Sequence, residues 1–307
     1  GMDPYQALVP LQNTDRPEVQ DIVARMRRLL DEYHERVLIG EIYLPVERLV
    51  KYYGVNLQGA QLPFNFQLVS APWDAPHLAR LIEEYERALP EGAWPNWVLG
   101  NHDQHRIASR IGPAQARVAA MLLLTLRGTP TLYYGDEIGM RDVDIAPHEI
   151  QDPFEKNVPG RGLGRDPERT PMQWNAAANA GFTTGKPWLP VAPDYREVNV
   201  AAQRDAPGSM LRLYRELIAL RRGEPALEVG RFEPIKTEGD VLAYIRRASR
   251  DESHFLVALN LGQQPQSVRT NLSGTIAIST HLDRRGERIE GAIALRPDEG
   301  VIVRWAA

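Results

Sequence analysis

Trp97-Val98-Leu99-Gly100-Asn101-His102-Asp103 is the stretch whose reading decides the fold. Val98 and Leu99 form a short apolar run of the kind a buried strand carries, and Gly100 admits a close backbone. Asn101, His102 and Asp103 then arrive together, where such a strand stops. Two readings fit. One is a turn, with Asn and Asp capping a helix that opens at Arg106-Ile107-Ala108. The other is a functional cluster, because parallel α/β barrels place their chemistry at that end of their strands.

Val37-Leu38-Ile39-Gly40-Glu41-Ile42-Tyr43 repeats the design: apolar run, glycine, carboxylate. Glu41 alone could be a paired or capping side chain. Two strands that each deliver a carboxylate suggest acid/base chemistry, and glycoside hydrolysis needs such a pair.

Outward from these stretches, strands and helices alternate. The spacing of Val19, Ile22, Val23, Met26, Leu29 and Leu30 predicts a helix over 16–33, with Asp15 as its cap and Pro17 in its first turn. A short helix or turn is expected over 45–53, a second strand over 63–68 and an amphipathic helix over 76–89. Strand 97–101 precedes an apolar helix over 113–127, and Gly128-Thr129-Pro130 turns the chain into a fourth strand over 131–135. That strand also ends in carboxylates, Asp136 and Glu137. Such alternation argues for parallel strands with helical crossovers. A full (β/α)8 barrel takes about 250 residues; about half that number of units is present here, with no earlier strand in residues 1–15.

Residues 141–208 are loop-rich. Within them Asn157 to Asp166 is basic and glycine-rich, which suggests a phosphate cradle, but no strand feeds it and the lysine–hydroxyl ending of a P-loop is missing. A long functional loop at a barrel mouth is the other reading. A helix is expected over 209–222. From Phe232 the pattern becomes β, with Val241–Ile245, Phe255–Leu259, Val268, Ile276–Ile278, Ile293–Leu295 and Val301–Val303 at regular spacing and a turn at Asp251-Glu252-Ser253. This predicts a small antiparallel sandwich. The fold expected is therefore α/β plus all-β, with a partial barrel in 1–228 and a β-sandwich in 229–307.

The chain has 307 residues, of which 43 % are apolar and 25 % charged, as in ordinary globular proteins. The net charge of -4, without a long block of one sign, gives no case for nucleic acid or an anionic membrane as partner. There is no cysteine, which excludes disulfides and thiolate metal sites. No basic-then-apolar leader is visible at the start of the sequence, so a cytoplasmic location is the expectation.

With these residues assembled, the chain resembles the α-amylase superfamily of glycoside hydrolases, and more narrowly its α-glucosidase and oligo-1,6-glucosidase branch. Four stretches carry the resemblance: Leu38 to Tyr43, Gly100 to Arg106, Gly128 to Met140 and Arg165 to Trp174, with Ala180-Gly181-Phe182-Thr183-Thr184-Gly185 added. It implies the C-terminal half of a (β/α)8 TIM barrel, strands five to eight, followed by the C-terminal β-domain. It implies an α-linked gluco-oligosaccharide as substrate; no cofactor is expected, and no metal, because the family's usual metal-binding loop near the first strand is missing from this sequence. It makes Glu41 the general acid/base and Asp103 the carboxylate that steadies the oxocarbenium-like transition state. His102 and Asn101 become substrate-binding neighbours, and Arg169 helps to close the sugar pocket. Arg169 could equally be a structural ion pair, and Trp174 could stack on a sugar or be buried in the core.

Two departures stand out. His105 occupies a position where proline is common in the family. More important, family members place a nucleophilic Asp at the end of strand four, two residues after an arginine, and nothing in residues 1–36 matches. Asp3 and Asp15 have neither the strand nor the arginine. A retaining enzyme needs that carboxylate about 5 Å from the acid/base. The chain alone is therefore expected to be inactive, and the unpaired edges of strands 37–43 and 131–135 are expected to drive self-association. Other readings are a non-catalytic scaffold like the amino-acid transporter heavy chains of this fold, one half of a two-chain glucosidase, and a transglycosylating or isomerising relative.

Overall fold

The computed structural model describes residues 14–248 and 253–305. Asp3 and the expected turn residues Asp251 and Glu252 lie outside the described residues. The chain divides into two units, Gly1–Asn65 with Glu84–Asn96, and Phe66–Glu83 with Trp97–Ala307.

The first unit opens with helix α1 (Pro17–Leu30). Its expected cap is absent: Asp15 instead accepts the Tyr52 hydroxyl at 3.0 Å and pairs with Arg48. No residue of α1 is buried, and Ile22, Met26 and Leu29 stand in solvent. Strand β1 (Ile39–Gly40) pairs in parallel with β2 (Leu62–Pro63). Between them run helix α2 (Val46–Leu49) and a 3-10 turn over Val50–Tyr53. Both strands are shorter than their apolar runs because the pairing is only two residues long; Phe64 N–H still donates to Gly40 O, and the chain turns helical at Gln67. The buried Tyr53 hydroxyl bonds Tyr85 and the carbonyl of Trp94.

Helix α3 (Gln67–Ser70) thus occupies the end of the expected second strand, and α4 (Ala75–Ala88) runs from the second unit into the first. Strand β3 (Asn96–Val98) forms a two-stranded sheet with a later strand, β4. Between them lies helix α5 (Ile107–Thr125), interrupted at Gly112, where φ is +82° and Pro113 restarts the helix. Leu122, Leu123 and Leu124 are buried on it.

Strand β4 (Thr129–Thr131) ends earlier than expected. Tyr133 and Tyr134 leave the sheet, and their hydroxyls donate to the carbonyls of Glu168 and Thr170 at 3.1 and 2.7 Å. The turn that follows needs Gly135: its φ is +88°, and a Cβ there would sit 2.5 Å from Met140 Sδ. The long loop holds short helices α6 (Pro153–Asn157) and α7 (Val200–Arg204). Helix α8 (Met210–Gly223) is capped by Ser209, whose Oγ accepts Arg212 N–H at 3.1 Å. A short helix, α9 (Pro225–Glu228), follows.

Six antiparallel strands complete the chain: β5 (Arg231–Ile235), β6 (Val241–Arg247), β7 (His254–Asn260), β8 (Gln266–Ser279), β9 (Arg288–Leu295) and β10 (Gly300–Trp305). They form one hydrogen-bonded sheet in the order β5-β6-β7-β10-β8-β9, where two sheets were expected. The reason lies in β8, whose 14 residues pair with β10 on one side and β9 on the other. Its register shifts between Arg269 and Ser273. Alternate residues such as Leu256, Ile276, Ile293 and Val303 meet in one apolar cluster.

Strand β7 is buried along its whole length, so its other face is covered as well. Polar contacts tie this sheet to α5: Gln115 donates to Asp298, Arg117 to the Thr280 carbonyl, and Tyr244 OH meets Thr125 Oγ1 at 2.5 Å. Arg246 and Arg221, both buried, donate to the carbonyls at the end of α5. Among the described residues, no helix is long and apolar enough to cross a membrane.

Candidate functional site

The opening stretch behaves as a strand that delivers a cluster. Beyond β3 the chain turns, and Asn101 Oδ1 accepts Asp103 N–H at 2.9 Å, an Asx turn that fixes the aspartate's backbone. Gly100 faces open space, so the close backbone approach expected there is not made; a Cβ would meet nothing within 4 Å. Helix α5 opens at Ile107, where the turn reading placed it, with Arg106 at its N-cap position and no side-chain cap.

Asp103 is the hub. Its Oδ1 accepts Arg165 at 2.8 Å and Arg169 at 2.6 Å, and His102 Nε2 lies 3.4 Å away. Arg169 also donates through Nε to the His102 carbonyl at 2.7 Å, which ties loop to strand end. Arg169 is thus an ion-pair partner of the carboxylate itself. The structure therefore brings Asn101, His102, Asp103 and Arg169 together. Glu41 follows β1 in the first unit and is exposed.

Arg165 was not singled out by sequence reasoning, although it stands in the glycine-rich basic run. It grips Asp152 through Nε at 2.7 Å, NH2 at 3.0 Å and its own backbone N–H at 2.8 Å. That bidentate fork, with the Phe154 N–H added, holds the Asp152 carboxyl well below the usual carboxylate range. Asp152 in turn raises the Arg165 guanidinium further. The guanidinium stacks on the Phe154 ring at 4.8 Å. The run is therefore an ordered loop that orients Arg165 on Asp103. Its signals in the sequence are its place in that basic run and its position at the start of a family motif.

Underneath lies Arg106, fully buried, its guanidinium 4.9 and 4.7 Å from the ring centres of Tyr133 and Tyr134 and donating to the Tyr134 carbonyl at 2.6 Å. Beside it, burial pushes the Asp136 carboxyl up to about 7 against the pull of Arg106. Glu137, the other carboxylate of this strand end, accepts Gly135 N–H at 2.7 Å and serves the turn. On the far side of Arg169, a cleft of about 400 Å³ is lined by Tyr134, Trp174, Phe182 and Trp188. These aromatic side chains are exposed, which decides between the two readings of Trp174 in favour of a surface position. Flat apolar faces beside fixed charges suit a ligand with both C–H and O–H surfaces.

Residues 6–230 match the family model "Alpha amylase, catalytic domain". The chain belongs to the alpha-amylase family. Within that family it is 39% identical over 274 residues to a salivary alpha-glucosidase of Anopheles gambiae, covering 85% of this chain and 46% of that protein. It is also 33% identical over 318 residues to the amino acid transporter heavy chain SLC3A1 of Mus musculus, covering 97% of this chain and 45% of that protein. The solved structure of an alpha-glucosyl transfer enzyme, XgtA, superposes with a TM-score of 0.88 at 30% identity, covering 99% of this chain and 57% of that one. The chain spans about half the length of the curated relatives it matches.

Proposed function

We propose that this chain carries the acid/base and transition-state side of a retaining α-glucosidase site acting on terminal α-glucosidic bonds of short oligosaccharides. The observation that supports it best is Asp103, one of whose oxygens is held by two guanidinium groups while His102 stands beside it. A carboxylate so clamped is fixed in position, as a group facing a developing oxocarbenium charge must be. In this reading Glu41 gives its proton to the leaving oxygen while a second carboxylate attacks the anomeric carbon; water, deprotonated by Glu41, then frees the sugar. Arg165 and Arg169 position Asp103, and the aromatic cleft takes part of the oligosaccharide. Residues 1–228 serve as the barrel part and 229–307 as the β-domain.

No residue of 1–36 matches the nucleophile segment, so these 307 residues alone do not turn over, and self-association covers the edges of the short strands. The test is hydrolysis of a chromogenic α-glucoside by the purified chain, with Glu41→Gln as control. The expected result is no turnover by either. Turnover that disappears in Glu41→Gln would support the site but overturn the inactivity. Light scattering that finds only monomer at high concentration removes the self-association.

A second reading is favoured by the match to a transporter heavy chain over 97% of this sequence. In a non-catalytic scaffold the Asp103 clamp would serve only to tie loop to strand end. Calorimetry with maltose separates the two, since binding that is lost in Asp103→Ala supports the glucosidase site. Transglycosylation or isomerisation would show as new disaccharides in place of free glucose.

A further inference from the structure

Among the described residues, one cluster gathers three metal-ligating side chains of different elements: His105, Asp142 and Glu168, with one donor atom of each within 4.8 Å of the others. His105 Nδ1 lies 2.8 Å from Asp142 Oδ2 and 4.0 Å from Glu168 Oε2. Glu168 is the unusual member. Its side chain is 2% exposed, and Oε2 has no hydrogen-bond partner. A buried carboxylate oxygen left unpaired is costly, unless something outside the protein completes it. We propose that His105, Asp142 and Glu168 form a binding site for a divalent d-block cation of the Zn²⁺ type.

One imidazole nitrogen and two carboxylate oxygens are a donor set that Zn²⁺ accepts, with a fourth position left open. In a tetrahedral site with bonds of about 2.1 Å, ligand atoms lie about 3.4 Å apart. The observed 2.8 and 4.0 Å fall on either side of that edge, and all three donor atoms lie within 4.8 Å of one another. An outer layer is already built: Asp142 Oδ1 accepts Arg106 N–H at 2.9 Å, and Asp142 N–H donates to Ser109 Oγ at 2.7 Å. The His105 side chain is 60% exposed, and His105 and Glu168 line a cavity of about 270 Å³ that also reaches Asp103, which provides an entry path.

The test is calorimetry of the chelator-treated full chain with Zn²⁺ alone, repeated with Co²⁺ while its visible absorption is followed. One ion per chain is expected, with Co²⁺ bands of a four-coordinate site. His105→Ala, an exposed position whose fold is checked by circular dichroism, should weaken binding at least about tenfold. Glu168→Gln, nearly isosteric, should do the same. His77, which pairs with Asp74 at 2.8 Å and belongs to no three-ligand cluster among the described residues, provides the control: His77→Ala should bind as the parent does. Absence of binding up to millimolar Zn²⁺, or binding untouched by His105→Ala, overturns the proposal. If His77→Ala is the variant that loses the ion, the site lies elsewhere.

Discussion

Arg165→Met tests the clamp on Asp103 and the loop that presents it. The substitution keeps the aliphatic stem and removes the guanidinium, which makes two side-chain bonds to Asp152 and one to Asp103. The Asp152 side chain is 0% exposed, so it keeps only the backbone N–H groups of Phe154 and Arg165. Stripping one partner from a buried ion pair costs about 3–5 kcal/mol. Arg165 is 26% exposed, so water reaches the vacated side. The expected loss is therefore about 2–3 kcal/mol. For a cooperative unit of this size that is a fall in Tm of roughly 6 °C.

The effect has a definite pH dependence. The Asp152 carboxyl sits below its unfolded value of about 3.9, so its contribution is present above that pH. It is lost as pH falls further, through the depressed folded value. The gap between parent and variant should hold from pH 7 to about 5 and narrow below about 4. Scanning calorimetry across that range measures it. Arg165→Lys should recover only part of the loss, because an ammonium cannot supply the bidentate fork. Removing both partners in Asp152→Asn with Arg165→Met should be milder than Arg165→Met alone. A Tm unchanged at pH 7, or a gap that widens in acid, would refute the reasoning.

Three further outcomes are expected. Asp136→Asn should gain stability relative to the parent as pH rises from about 4 towards 7, because the raised folded pKa makes ionisation of Asp136 oppose folding across that window; a difference in Tm independent of pH contradicts it. Gly135→Ala should lose at least about 2 kcal/mol in urea unfolding, from a positive φ and a Cβ driven against Met140 and Arg106. Tyr244→Phe should lose about 1 kcal/mol by the same assay, since Thr125 Oγ1 already donates to the Met121 carbonyl at 2.6 Å and forfeits only an incoming bond.

Helices were the most legible part of the sequence: 16–33 became Pro17–Leu30 and 209–222 became Met210–Gly223, while 113–127 became Ile107–Thr125, with an extra stretch before the break at Gly112. A helix is closed by bonds within its own segment, so spacing and caps suffice to place it. Strand ends were less legible. The runs over 63–68 and 131–135 are apolar beyond the residues that pair, and pairing length depends on a partner distant in sequence. The union of the expected sandwich into one sheet turns on the same point, since β8 is shared by two neighbours.

By itself the sequence determined the alternating α/β order, the β-rich end, the family motifs and the residues of the Asn101-His102-Asp103 cluster, because these rest on local composition and short spacing. Only the tertiary structure decided that Arg165 and Arg169, more than 60 residues away, share one oxygen of Asp103. The same holds for Asp15, which pairs with Arg48 and Tyr52 and does not cap α1, and for the burial of Glu168 beside His105. Whether a charged side chain meets solvent, an opposite charge or nothing depends on desolvation and on partners brought in by the fold. Neither quantity is written in the neighbouring residues.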